Sequence, residues 1–555
     1  VTFFLKFSLF EMMNKILVIL FCSLLFTQAG VAQTTYYLDD VSGNDHNSGT
    51  TVEHSWKTMQ RLNQVLLKPG DSVLFRRGGS WIGNLAPKGS GLPGKRIVVG
   101  AYGNGPAPVI DAKGEVGKGE KASYTIRLFN QEYIEFRDLT VRNFRDFEPP
   151  REHLEKENVS FVFAPKIALY IEGRDCGTLH DIFLTNLEIC NVNGDMSNKN
   201  NGGVFVEITW DEDETKRIKS NFDGLFTENC YIHDVDRTGW SNTSVWWNRS
   251  LHSQWGEKLA DGKTHNWYPS RRIVLRNNRF EASGANALIV RVAEAPLVEH
   301  NLFFRNGVKG SGNASFPFNC DNALFQYNEA CYTVYNSATD SWNNRPDVDA
   351  GGFDSDFRCK NTVIQYNYSH HNGFGAILVC CDGSSKTSFN DGTVIRYNIF
   401  ENNAHHEIRI SGPATNTRIY NNVVFSGSGM DSVMLIYHKS WKGYSDSTAY
   451  LNNIFYSDAS GSSVGLGSST HNFFNANIFY GKIAGEPEDR HKIKEDPRFV
   501  NGQPLFSGWK QFLKFLLQEG SPAIDTGFEV PGHPGRDMLG TPVTGRPDRG
   551  ALEYR

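Results

Sequence analysis

The sequence predicts an all-β solenoid, a chain wound into stacked coils of short strands, and three observations carry that prediction. One phrase recurs as "VLRNNRF", "VEHNLFF", "LFQYNEA", "VIQYNYS", "VIRYNIF", "RIYNNVVF", "AYLNNIF" and "FNANIFY". Its asparagines, Asn278, Asn301, Asn328, Asn367, Asn398, Asn422, Asn453 and Asn477, stand 23 to 39 residues apart, a spacing that signals stacked units with variable insertions. Each copy is β-branched and aromatic with alternating polar positions, so it reads as strand. An asparagine at one fixed place per coil suits a turn, where its amide bonds the equivalent group in the next coil. Weaker copies precede these at Asn186 ("FLTNLEI") and Asn229 ("FTENCYI").

In chain order, residues 1–32 hold upstream residues and a segment from Met13, "MNKILVILFCSLLFTQAGVAQ". A Lys15-bearing start, an apolar run from Ile16 to Phe26 and small residues to Ala32 read as a secretory signal peptide, too short to span a bilayer. The mature chain is expected from about Gln33 as a secreted, periplasmic or extracellular, monomeric single domain over residues 33–555. Residues 33–110 would form the N-terminal cap and first coils, with a helix across Trp56 to Leu67 covering the open end, as terminal units of a solenoid must. A Trp-rich insertion occupies 236–270. A Gly- and Pro-rich C-terminal cap occupies 480–555.

Composition narrows the partners. A formal net charge of -5 from 56 basic and 61 acidic residues offers no basic surface for nucleic acid, and no further segment is long enough to span a membrane. Of nine cysteines, Cys22 leaves with the signal. The rest sit largely in strand-like runs where cysteine is a small core residue; no spacing along the chain is of zinc type.

The stretches "YYLDDVSGNDHNSGT", "SWKTMQRLN", "LKPGDSVLFRRGGSWIGNL", "IVVGAYGNGPAPVI", the asparagine-bearing coils and the "SPAID" and "GALEY" ending resemble secreted bacterial right-handed parallel β-helix proteins of the pectate-lyase-like superfamily. The resemblance covers nearly the whole mature chain. It implies a right-handed parallel β-helix and a carbohydrate-active enzyme, and leaves open hydrolysis or elimination, since one scaffold hosts both.

The chemistry is expected where "DVDAGGFDSDF" (residues 347–357) places four aspartates in one stretch. Strand alternation sends Phe353, Ser355, Ile408 and Ile410 inward and leaves Asp354, Asp356, Glu407 and Arg409 outward, with Asp382 and Arg291 on the same face. Asp347 and Asp349 read as inserted loop. Asp354, Asp356 and Asp382 are the candidate catalytic acids: the first two alone suit an inverting separation, and Asp382 on the next coil would suit retention. Arg291, Arg409 and Glu407 would orient an acidic polysaccharide or oligosaccharide. The imidazoles of His371 and His405 border the stripe, His405 on the face of Glu407. Trp246 and Trp247 offer flat apolar platforms for sugar rings.

The leading expectation is a glycoside hydrolase; the sequence identifies no cofactor and leaves a Ca2+ requirement open. The runner-up is a β-eliminating lyase of uronate-containing glycans, which the resemblance links to Ca2+ held by aspartates; a third reading is a non-catalytic glycan-binding surface protein.

Overall fold

Three parallel strands to a coil, each coil hydrogen-bonded to the next, build a parallel β-helix. The computed structural model describes residues 33–117, 120, 122–145, 165–335, 349–500 and 508–555. The segment read as a signal peptide and Asp347 lie outside them. One strand of each coil joins a 15-stranded sheet, and the other two join a 23-stranded sheet that bends around the coil. Register is kept from coil to coil: Val274, Leu297, Leu324, Val363, Val394, Arg418, Ala449 and Phe473 stack in one column. Among the described residues no helix is long and apolar enough to cross a membrane.

The recurring asparagines stack inside the corner between the first and second strands of each coil. The backbone N–H and the side-chain amide of Asn398 both donate to Oδ1 of Asn422, at 2.9 and 3.0 Å, and the same pair of bonds links Asn278 through to Asn477. Asp489 ends the stack by accepting the N–H and amide of Asn477. The buried side-chain amide and backbone N–H of each ladder asparagine are thereby satisfied, which is why the residue type recurs there. Asn186 and Asn229 are not ladder members. They occupy the preceding corner position, in the left-handed conformation (φ 52° and 56°) shared by Asn277 and Tyr397, and Cys230 holds the ladder position beneath Asn278. Asparagine tolerates that conformation, so two adjacent roles attract the same residue.

A second stack, not anticipated, lines the next corner. Asn372 donates its N–H and amide to Asn403, and Asn403 donates its own to Glu407 at 3.0 and 2.8 Å.

The predicted helix shrinks to one turn, Met59–Leu62, capped by the Thr58 side chain; Trp56, Met59 and Leu62 are fully buried and close the N-terminal end. The C-terminal region does more than close the other end. Phe512, Phe515 and Leu517 pack in a core with Tyr366, Tyr368, Tyr397 and Tyr420 on the flank of earlier coils, and Tyr366 donates to the Arg536 carbonyl at 2.8 Å.

Candidate functional site

The site lies on the outward face of the third strand of each coil. Gly351–Ser355 pairs with Gly375–Cys380, setting Asp354 beside Leu378, and that strand pairs with His406–Ser411, setting Leu378 beside Arg409. Phe353 and Ser355 point inward as alternation requires: Phe353 is in the core, and Ser355 bonds Thr393 at 3.0 Å. The backbone passes so close to the second strand of the next coil, Tyr368–His370, that a Cβ on Gly352 would stand 2.2 Å from Ser369 Oγ. The glycine pair before the acids is therefore a packing requirement.

Asp354 is only 3 % exposed. Asn313 Nδ2 donates to its Oδ2 at 3.3 Å while Asn313 Oδ1 accepts the Gly351 N–H. Asp356 is half-buried and accepts the Phe357 N–H at 2.7 Å and the Cys380 thiol at 3.1 Å. The ligating atoms of Asp354, Asp356 and Cys380 lie within 4.8 Å of one another. Burial, and then the charges of Asp356 and Asp349, hold Asp354 well above the usual carboxylate range against the pull of Arg409 and Asn313. Burial also raises Asp356, but Lys199, the Cys380 thiol and the Phe357 N–H oppose it. Two neighbouring acids thus differ in proton affinity because the positive charge and donors favour one of them.

Arg409, 6 % exposed, bonds Ser411 Oγ at 3.0 Å and stands over the Phe374 ring at 5.6 Å. His405 is exposed and packs on the same ring, centroids 4.9 Å apart. Lys439 pairs in register with Ser411, and its pKa is lowered by burial and by Arg409. Arg291 faces outward on Leu288–Arg291, held by the Asn242 carbonyl at 2.6 Å and Asn200 at 2.7 Å; burial, then Arg237, brings it down to about 10.

Four expected members are placed elsewhere. Glu407 is wholly buried and points inward to end the second asparagine stack, because the strand is entered through a tight turn, His406 N–H to Ala404 O at 2.7 Å, that breaks alternation. Asp382 closes its own turn by accepting the Ser384 N–H and hydroxyl. His371 follows the second strand of its coil, 2.9 Å from His370 Nδ1 and stacked on Tyr332. Trp246 is 7 % exposed, in the core against Trp210. Trp247 fares better: it is half-buried, with the guanidinium of Arg358, two residues beyond Asp356, 4.9 Å from its ring. Its loop is pinned by Arg249 to Asn319 and Asp321. Phe357 and Trp441, 40 % exposed, add an aromatic edge at the same end.

Sequence reasoning missed Lys199, Asn313, Cys380, Lys439 and the charge of Asp349. The only available signal was the register that brings Lys439 and Cys380 into line with the acids. The set does not suit calcium, which takes about six to eight oxygen ligands: among the described residues two carboxylates and a thiol meet, with Lys199 and Arg409 supplying positive charge. All eight cysteines from Cys176 onward are free thiols.

No family model matches the chain. Among curated proteins it is similar to a lacto-N-biosidase of Bifidobacterium longum subsp. longum, 25 % identical over 94 % of this chain, and it spans 36 % of that relative's length. Among solved structures it is similar to the GH136 lacto-N-biosidase from Eubacterium ramulus. The native protein gives a TM-score of 0.55 at 22 % identity over 70 % of this chain and 64 % of the other. The selenomethionine derivative gives 0.59 at 22 % identity over 73 % and 67 %. This structural likeness places the chain among parallel β-helix proteins.

Proposed function

We propose that the protein is an exported glycoside hydrolase that cleaves an oligosaccharide, in the manner of the lacto-N-biosidases it resembles, by a retaining route. One observation carries the reading: an oxygen of Asp354 and an oxygen of Asp356 lie within 4.8 Å of each other, the first acid pushed well above the usual carboxylate range and the second beside a cation and two donors. Oxygens that close leave little room for the water that an inverting pair holds across roughly 6.5 to 9.5 Å, and suit the roughly 5 to 5.5 Å spacing of retaining enzymes better.

Asp354 is the general acid. Its proton passes to the glycosidic oxygen as the C–O bond breaks, while the Asp356 carboxylate attacks the anomeric carbon and forms a glycosyl ester. Asp354, now ionised, takes a proton from water as that water displaces Asp356, which returns both groups to their starting states. Arg409, Lys199 and Lys439 supply positive charge, and Trp247 and Trp441 form the rim against sugar faces.

The test is a panel of oligosaccharides led by those that lacto-N-biosidases cleave, with products followed by proton NMR from the first turnover. Release of the sugar with its anomeric configuration kept supports the reading. Net inversion removes Asp356 as nucleophile, and unsaturated products absorbing in the ultraviolet replace hydrolysis by elimination.

A further inference from the structure

The second strand of the coil carries a constellation that occurs twice, away from the acids. In "EIC" and "YIH", Cys190 pairs across coils with His233 and Glu188 with Tyr231. In "EAC" and "YSH", Cys331 pairs with His370 and Glu329 with Tyr368. One coil further, His233 faces Glu281 and His370 faces Glu401. Each tyrosine donates to that glutamate, Tyr231 at 2.8 Å and Tyr368 at 2.5 Å, and stacks on its histidine with centroids 4.0 and 4.1 Å apart. In each set a carboxylate, a thiol and an imidazole bring their ligating atoms within 4.8 Å of one another.

We propose that Glu188–Cys190–His233 and Glu329–Cys331–His370 are twin binding sites for a borderline-soft divalent metal ion of the zinc type. Thiolate, imidazole and carboxylate together suit such an ion better than they suit a hard one. A tetrahedral zinc site has ligand-to-ligand edges of roughly 3.4 to 3.6 Å. Here His233 Nε2 lies 3.4 Å from Glu188 Oε1, His370 Nε2 3.0 Å from Glu329 Oε1, and Cys331 Sγ 3.9 Å from the same oxygen.

The ring nitrogen that would not bind metal is engaged in both sets: His233 Nδ1 by Asp234 at 2.7 Å, His370 Nδ1 by His371 at 2.9 Å. Both orienting residues directly follow the histidine, and both are left-handed, φ 51° and 53°. Such a partner fixes the tautomer and aims Nε2. Each set supplies three protein ligands, and a water molecule would complete a tetrahedral ion. The half-exposed Glu188 and the exposed Tyr332 beside His371 give the ion a way in. On binding, each cysteine loses its thiol proton to solvent as the metal–sulfur bond forms. No spacing along the chain advertises these sites, because the ligands come from successive coils.

The full chain, loaded with Zn2+ or Co2+ and desalted, is analysed for bound metal and for the thiolate-to-cobalt charge-transfer band. The proposal expects two equivalents in the wild type, one in Cys190→Ser or Cys331→Ser, and none in the double variant, with the band falling in step. Binding that neither substitution changes, a cobalt spectrum without the thiolate band, or loss at one cysteine alone overturns it. Circular dichroism before loading checks folding, and His233→Gln and His370→Gln carry the same test for a cysteine variant that does not fold.

Discussion

Glu407 and Asp354 are both buried carboxyls close to the third wall of the β-helix, both with raised proton affinity, yet their surroundings differ in kind. Glu407 ends a column of amides: both its oxygens accept from Asn403, and burial takes it up to about 8. Asp354 sits among other acids, a thiol and a guanidinium, with one long amide bond. Burial shifts both; Glu401 adds to the shift of Glu407, whereas Asp354 has Asp356, Asp349 and Arg409, charges of both signs, acting on it. Perturbed acidity alone therefore does not mark a site, and the identity of the perturbing groups does.

The largest expected effect separates the two. Asp354→Asn should lower kcat by about 10² to 10⁴-fold, the usual worth of a positioned proton donor, with thermal stability near wild type. Glu407→Gln should leave kcat/KM close to wild type, since a glutamine oxygen can accept both Asn403 donors as the ladder asparagines do, and should change stability instead. The folded pKa of Glu407 is raised from 4.5 to about 8. Its protonated form therefore stabilises the wild type fully below pH 4.5, and that contribution is lost as pH rises through about 8. The variant, which has no such proton, should gain on the wild type across that window by at most about 1.4 kcal/mol per pH unit. Parallel denaturation curves at pH 5 and pH 8 measure it; equal pH dependence in the two proteins would remove Glu407 as a buried titrating group.

The two adjacent tryptophans repeat the contrast. Trp246 is in the core, and Trp246→Ala should cost about 3 to 5 kcal/mol in urea or guanidinium unfolding. Trp247→Ala should cost much less stability and raise KM with kcat little changed, as expected for loss of a sugar platform. An unaltered KM would return Trp247 to a purely packing role.

How much of this was legible follows from which contacts are periodic. The column Asn278 to Asn477, the inward Phe353 and Ile408, and the outward Asp354, Asp356 and Arg409 all obey a repeat or a two-residue alternation, so the sequence displays them. Glu407 escaped because one tight turn at Ala404 shifts the phase. Asn186 and Asn229 misled because the left-handed corner and the ladder favour the same residue one position apart. Lys199, Asn313 and the Cys–His–Glu sets were invisible for another reason: their partners lie on other coils, and variable insertions hide which residues meet. Asp349 looked like loop charge, yet its field reaches both acids.

That field gives the finest test of the comparison. Asp349 raises Asp354 and Asp356 together, whereas Arg409 lowers Asp354. If Asp354 is the acid and Asp356 the nucleophile, the alkaline limb of the activity profile reports Asp354 losing its proton and the acid limb reports Asp356 gaining one. Asp349→Asn removes a negative charge near both, so both limbs should move to lower pH with the maximal rate changed only a few-fold. Arg409→Met removes a positive charge beside Asp354, so the alkaline limb should move to higher pH. Opposite displacements of one limb by two substitutions are hard to obtain from misfolding, which lowers the whole profile. Should Asp349→Asn instead cost activity as heavily as Asp354→Asn, the proton donor is Asp349, and Asp354 becomes the group that tunes it.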